Sequence, residues 1–151
     1  MDFDNYYPGA TTYRHLPAIN LLMTRGCPGR CTFCNSAMTT LRSRSAESMV
    51  AQVKHLRDTY GIRQFQFYDD TFTLDRRRVL GICQEILDRG ITISWNISTH
   101  VNTVDRELLH LMAKAGCWQI AYGVETGDPR VMQDIMKGTD VGTVKERIQW
   151  T

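Results

Sequence analysis

Three cysteines, Cys27, Cys31 and Cys34, fall within eight positions of a 151-residue chain, in the run Gly26-Cys27-Pro28-Gly29-Arg30-Cys31-Thr32-Phe33-Cys34. The C-x3-C-x2-C spacing lets one short loop present three thiolates to a common centre. Five cysteines in all leave an odd thiol, and the close trio cannot pair within itself, so a disulfide framework accounts for them poorly. Ligation in a reducing compartment accounts for them better. A four-iron cluster ordinarily takes four thiolates, so a loop offering three leaves one iron open to a further ligand. The competing chemistry is a structural zinc completed by Cys117, His15 or His100. Zinc sites usually draw ligands from separated pairs, and here there is a single trio. The flanking Gly26, Pro28, Gly29 and Arg30 give these cysteines little core to fill.

Other groups with chemical potential stand at the ends of apolar runs. Asp69 and Asp70 follow one such run, where paired carboxylates either cap a turn or meet a cationic amino group. Glu125 ends another, and is a ligand contact or a solvated loop carboxylate. His100 follows a third; a lone histidine is more often a hydrogen-bonded structural residue. Arg76-Arg77-Arg78 reads as a solvated helix face, Cys83 and Cys117 as packed small hydrophobes, and the methionines as core filling.

The elements that must position these groups are legible from periodicity. Ala18–Met23 reads as a buried strand, followed by a loop through Thr24-Arg25-Gly26. Ser45 caps a helix with inward Val50, Val53, Leu56 and Tyr60 that stops at Gly61. Phe65–Tyr68 is a second strand, and Asp75 opens a helix through Val79, Ile82, Cys83, Ile86 and Leu87 that stops at Gly90. Ile91–Ile97 is a third strand, with a helix from Asp105 carrying Leu108, Leu109 and Met112 to Gly116. Trp118–Tyr122 is a fourth, and Asp128-Pro129 is an N-cap and N1 pair for a helix ending near Gly138. Thr143–Trp150 is helical and runs out without a terminator.

Strict strand–helix alternation implies parallel strands joined by helical crossovers, in an α/β architecture of about four βα units. Four units form an arc with two open edges, so a fragment of a longer protein is expected. Eighteen Lys and Arg against sixteen Asp and Glu give a net charge of +2, with no nucleic-acid or anionic-membrane signal. No run approaches the roughly 20 apolar residues of a spanning helix, and the start Met1-Asp2-Phe3-Asp4-Asn5 lacks the features of a signal peptide. A soluble, cytoplasmic protein is the expectation.

The motif C-x3-C-x-aromatic-C, with Phe33 as the aromatic residue, resembles the radical S-adenosylmethionine superfamily. Thr24–Cys34, Tyr68-Asp69-Asp70-Thr71-Phe72 and Gly123-Val124-Glu125-Thr126-Gly127 together look like its cobalamin-associated class, which is similar in its core to the methylthiotransferases. The resemblance implies a partial (βα) barrel, with four of the family's six units in residues 18–151 after a lead segment at 1–17, truncated at the C-terminus. It also implies a [4Fe-4S] cluster on Cys27, Cys31 and Cys34 that reductively cleaves S-adenosylmethionine. Phe33, Asp69, Asp70 and Glu125 would contact that cofactor, Asp69 or Asp70 at its amino group. Cobalamin would come through a domain outside this chain, and electrons from a flavodoxin or ferredoxin. The resemblance leaves the substrate open. An inactive truncated domain is the alternative within the same family.

Overall fold

Local capping chemistry sets most of the element boundaries in the structure, a computed structural model that describes residues 13–151. The strands are β1 (Ala18–Leu21), β2 (Thr24–Arg25), β3 (Arg42–Ser43), β4 (Gln64–Phe67), β5 (Ser94–Thr99) and β6 (Cys117–Tyr122). Ser45 accepts a hydrogen bond from the Ser48 N–H to open α1 (Ala46–Tyr60), which Gly61 ends in the left-handed region at φ +67°. Asp75 opens α2 (Arg76–Asp88) and Asp105 opens α3 (Arg106–Lys114), each carboxylate accepting from a main-chain N–H three residues on. Asp128, with Pro129 at N1, opens α4 (Pro129–Asp134), and Asp140 opens α5 (Val141–Trp150). Each cap contributes about 1 kcal/mol by satisfying main-chain donors that the first helical turn leaves free.

The four longer strands form one parallel sheet in the order β1-β4-β5-β6. Neighbours in sequence are neighbours in space, so each return to the next parallel strand runs through a helix. The helices cover one face. Phe65, Phe67, Trp95 and Ile97 pack there against Val50, Val53, Val79, Ile82, Cys83, Leu108 and Met112. The Phe72 ring stacks on Phe67 at 5.2 Å and lies 5.7 Å from Trp95, whose indole N–H donates to the Ala115 carbonyl at 2.8 Å. Burying each such ring contributes about 1.5–3 kcal/mol. A smaller cluster of Val101, Met132 and Val144 fastens α4 and α5 beside Tyr122 and Val124.

Four local expectations need correction. The third strand begins at Ser94, because Ile91 and Ile93 fill the core from the connection before it. Gly116 makes this crossing possible: at φ +96° it lies so close to Ile93 that a Cβ would drive into the Ile93 carbonyl oxygen. α4 ends at Asp134, short of Gly138, and Tyr60 points outward at 44% exposure. Arg78 is not on a solvated face: it is buried, with its guanidinium 5.3 Å from the Phe72 ring centroid and donating to the Phe72 carbonyl at 3.1 Å. The ribbon pairing Thr24 with Ser43 and Arg25 with Arg42 was not visible in the periodicity. Of the lead segment, residues 1–12 lie outside the described residues.

Candidate functional site

The cysteine loop leaves the sheet at the carboxyl end of β1 and is held from three directions. From below, Asp69 at the end of β4 accepts the Met23 N–H at 3.2 Å and the Thr24 N–H in a shorter bond. At the neck, β2 and β3 pair, and Gly26 follows at φ +95°, where a Cβ would enter the Thr40 carbonyl. Within the loop, the Cys27 N–H donates to the Thr39 hydroxyl at 2.9 Å, and the Thr39 N–H donates back to the Cys27 carbonyl at 3.0 Å. The Cys34 N–H donates to the Cys31 carbonyl at 3.2 Å, and Met38 closes onto Gly29 at 2.8 Å. Asp70 adds a side brace, accepting from the Gly26 N–H at 3.2 Å and from the Ser36 hydroxyl at 2.9 Å. A further tie runs from the Thr32 N–H to the Ile135 carbonyl after α4.

Cys27, Cys31 and Cys34 open onto one cavity of about 1090 Å³, at the carboxyl ends of the strands. Parallel α/β folds place their sites there because the strand ends and following loops converge on it. The Cys27 sulfur lies 3.4 Å from the Gly29 N–H and 3.8 Å from the Thr71 hydroxyl, both able to donate to a thiolate. Phe33, Asp70 and Glu125 line the same cavity; Asp69 does not. Asp69 is 2% exposed, with one oxygen spent on the two main-chain donors and the other without a hydrogen-bond partner among the described residues. Burial pushes its carboxyl above the ordinary range, against those hydrogen bonds and the nearby Arg78 charge. Its place is under the loop.

Glu125 adopts φ +68°, and its carboxylate meets the Lys137 ammonium at 3.2 Å. Lys137 is the site residue that periodicity did not single out. Its side chain is 9% exposed, its ammonium stands 5.7 Å from the Phe33 ring centroid, and its carbonyl accepts from His100 Nε2 at 2.9 Å. Gly123 leaves the room these groups need, since a Cβ there would sit 2.9 Å from the Glu125 carboxylate and 3.1 Å from the Lys137 nitrogen. His100 Nδ1 accepts the Asn102 N–H at 3.1 Å, so both ring nitrogens are engaged. Burial lowers its pKa, which keeps the ring neutral. Beneath it, the hydroxyls of Thr73, Thr99 and Thr103 form a closed set at 2.6–3.1 Å.

The zinc set finds little support in this arrangement. Cys117 begins β6 at the opposite end of the sheet, His100 has no free nitrogen, and His15 does not line the cavity. Among the described residues, no three His, Cys, Asp or Glu side chains converge tightly enough to hold one metal ion. Nor is any described helix long and apolar enough to cross a membrane.

Comparison with known proteins gives this geometry its relatives. An uncharacterized methyltransferase of Pyrococcus horikoshii is 36% identical over 121 residues, covering 78% of this chain and 26% of that protein. Cytidylyl-2-hydroxyethylphosphonate methyltransferase of Streptomyces wedmorensis is 34% identical over 120 residues, covering 78% of this chain and 22% of its own length. The chain thus spans about a quarter of the length of the relatives it matches. The structure of the cobalamin-dependent S-adenosylmethionine radical enzyme OxsB superposes with a TM-score of 0.76 at 23% identity, over 88% of this chain and 22% of that one, a likeness of fold. The model of the Radical SAM superfamily matches residues 21–150, nearly the whole chain, so this protein belongs to the radical SAM superfamily.

Proposed function

We propose that residues 18–151 are part of the core domain of a radical S-adenosylmethionine enzyme, most consistent with cobalamin-dependent methylation, and that residues 1–17 lead into it. The observation that carries this reading is the convergence of Cys27, Cys31 and Cys34 with Phe33, Asp70 and Glu125 on one cavity at the strand ends. The donor set suits a four-iron cluster. A single zinc would need its thiolates roughly 3.8 Å apart, given a Zn–S bond of about 2.3 Å. Among the described residues no three such side chains converge on a single metal ion, whereas a cluster takes each thiolate at a different iron. When bound, the cluster supplies the electron for reductive cleavage of S-adenosylmethionine, and cobalamin, carried outside this chain, would receive and pass on the methyl group.

The chain's own residues then have distinct tasks. The Thr39, Asp70 and β2–β3 contacts hold the cysteine loop in one shape before any ligand arrives, which lowers the ordering cost of binding. The Gly29 N–H donates towards the Cys27 sulfur at 3.4 Å and helps fix its place in the loop. Lys137 and Glu125 present opposite charges side by side, complementary to the carboxylate and amino group of the cofactor's methionine end. Phe33 offers an exposed aromatic face to the adenine.

Anaerobic reconstitution with iron and sulfide tests the reading. The wild-type chain is expected to take up four irons and four sulfides, with broad visible absorption that bleaches on reduction. Cys31→Ala should lose most of that uptake, and undiminished uptake would defeat the assignment.

A further inference from the structure

Lys137 sits between two left-handed residues, Met136 at φ +53° and Gly138 at φ +72°, in the sharp turn by which the chain leaves α4. A side chain such as that of Met136 crowds its own backbone at positive φ, so a turn of this kind holds only where its surroundings fix it. On its α4 side the turn is tied by main-chain bonds alone. The Met136 N–H donates to the Gln133 carbonyl at 3.0 Å, and the Lys137 N–H to the Met132 carbonyl at 3.2 Å.

On its other side the turn is tied by side chains that follow β5. His100 Nε2 donates to the Lys137 carbonyl at 2.9 Å, the Asn102 side-chain amide donates to the Gly138 carbonyl at 2.6 Å, and the Thr139 hydroxyl donates to the Asn102 side-chain carbonyl at 2.9 Å. His100 Nδ1 accepts the Asn102 N–H, so the neutral ring carries its proton on Nε2, facing Lys137. The base of this clamp is itself fixed. The His100 carbonyl accepts the Thr103 N–H at 3.0 Å and the Thr103 hydroxyl at 2.7 Å. With that proton committed, the two 2.6 Å hydroxyl contacts run one way, Thr99 donating to Thr73 and Thr73 to Thr103. These hydroxyls keep no proton for a ligand, and their effect is to hold His100.

We propose that His100 is a positioning residue for Lys137: with Asn102 it clamps residues 137–139 against the end of β5, and so sets the Lys137 ammonium between the Glu125 carboxylate and the Phe33 ring. The methionine carboxylate of S-adenosylmethionine would meet the ammonium there. Imidazole suits the task because one uncharged side chain must offer an acceptor close to the backbone for Asn102 and a donor further out for Lys137. Asn offers only the near group, and Gln only the far one. The inference rests on the radical enzyme reading, because it takes Lys137 as a contact for that cofactor.

The test divides the work of the imidazole between two replacements in the anaerobically reconstituted chain, with S-adenosylmethionine binding followed by calorimetry. His100→Asn keeps the acceptor for Asn102 but does not reach the Lys137 carbonyl, and is expected to weaken binding about tenfold with iron content unchanged. His100→Gln reaches that carbonyl and is expected to stay within about twofold of wild type. Combined with Lys137→Met, His100→Asn should cost nothing further, since both act through the same ammonium. Without any cofactor, acetic anhydride should modify Lys137, whose side chain is 9% exposed, severalfold faster in His100→Asn than in wild type or His100→Gln, as read by mass spectrometry. If His100→Asn does not fold, Asn102→Ala carries the same expectations, because it frees the Gly138 and Thr139 ends of the clamp. Unweakened binding in His100→Asn, equal losses in the Asn and Gln variants, additive losses with Lys137→Met, or unaltered acetylation overturns the clamp. A wild-type chain that holds its cluster and binds no S-adenosylmethionine defeats the radical enzyme reading instead, and the acetylation rates alone then judge the clamp.

Discussion

Asp69 offers a sharp test of what the carboxylate under the cysteine loop is for. One oxygen accepts the Met23 and Thr24 N–H groups, while the other is buried with no hydrogen-bond partner among the described residues, in a side chain that is 2% exposed. Asp69→Ala would leave two main-chain donors unsatisfied, at about 1–3 kcal/mol each, for a total loss of about 2–6 kcal/mol. That is a large share of the roughly 5–15 kcal/mol holding a typical domain together. Asp69→Asn keeps the accepting oxygen and removes the buried charge, so it should be neutral or stabilising at neutral pH. The pH dependence has a definite sign. Burial raises the folded-state pKa above the unfolded value, so the native state binds more protons between the two. Stability contributed by this group is full below the unfolded value and is lost as pH rises through the folded one; the wild-type chain gains on mild acidification relative to Asp69→Asn. Urea unfolding followed by circular dichroism, at constant m-value, measures all three quantities. Equal losses for Asn and Ala, or a wild-type advantage that grows with pH, would refute the reasoning.

Two further perturbations address the site directly. Gly26→Ala forces a Cβ towards the Thr40 carbonyl at φ +95°, costing about 1–3 kcal/mol in the loop and cutting iron uptake while circular dichroism of the sheet and helices stays unchanged; normal uptake contradicts the loop geometry. Lys137→Met removes the partner of Glu125 and should weaken S-adenosylmethionine binding about tenfold, or about 1.4 kcal/mol, by calorimetry, with cluster content preserved; an unaltered Kd removes Lys137 from the cofactor's site.

Reading the sequence reached the fold through its punctuation more than through its apolar runs. Ser45, Asp75, Asp105 and Asp128 act as caps, and Gly61 and Gly116 take positive φ, because those signals depend on local sterics and hydrogen bonding alone. The third strand's start was misplaced because an apolar Ile91 and Ile93 serve a buried connection as well as a buried strand. Two-residue strands carry too little periodicity to be seen, so the β2–β3 ribbon was silent. At the site, the cysteine spacing was self-contained and needed no tertiary information. Lys137 was not legible, because its burial comes from the meeting of three separate loops. Asp69 and Asp70 looked interchangeable as neighbours, yet one is turned inward under the loop and the other faces the cavity.

The β2–β3 ribbon gives the cysteine loop a drawstring. By joining Thr24–Arg25 to Arg42–Ser43, it cinches residues 26–41 into a pouch whose two ends already meet. Because the entropy of bringing a loop's ends together grows only slowly with its length, extra residues inserted beyond that knot are cheap. The pouch can therefore vary in size and contents from one homologue to another while the sheet that hangs it stays as it is.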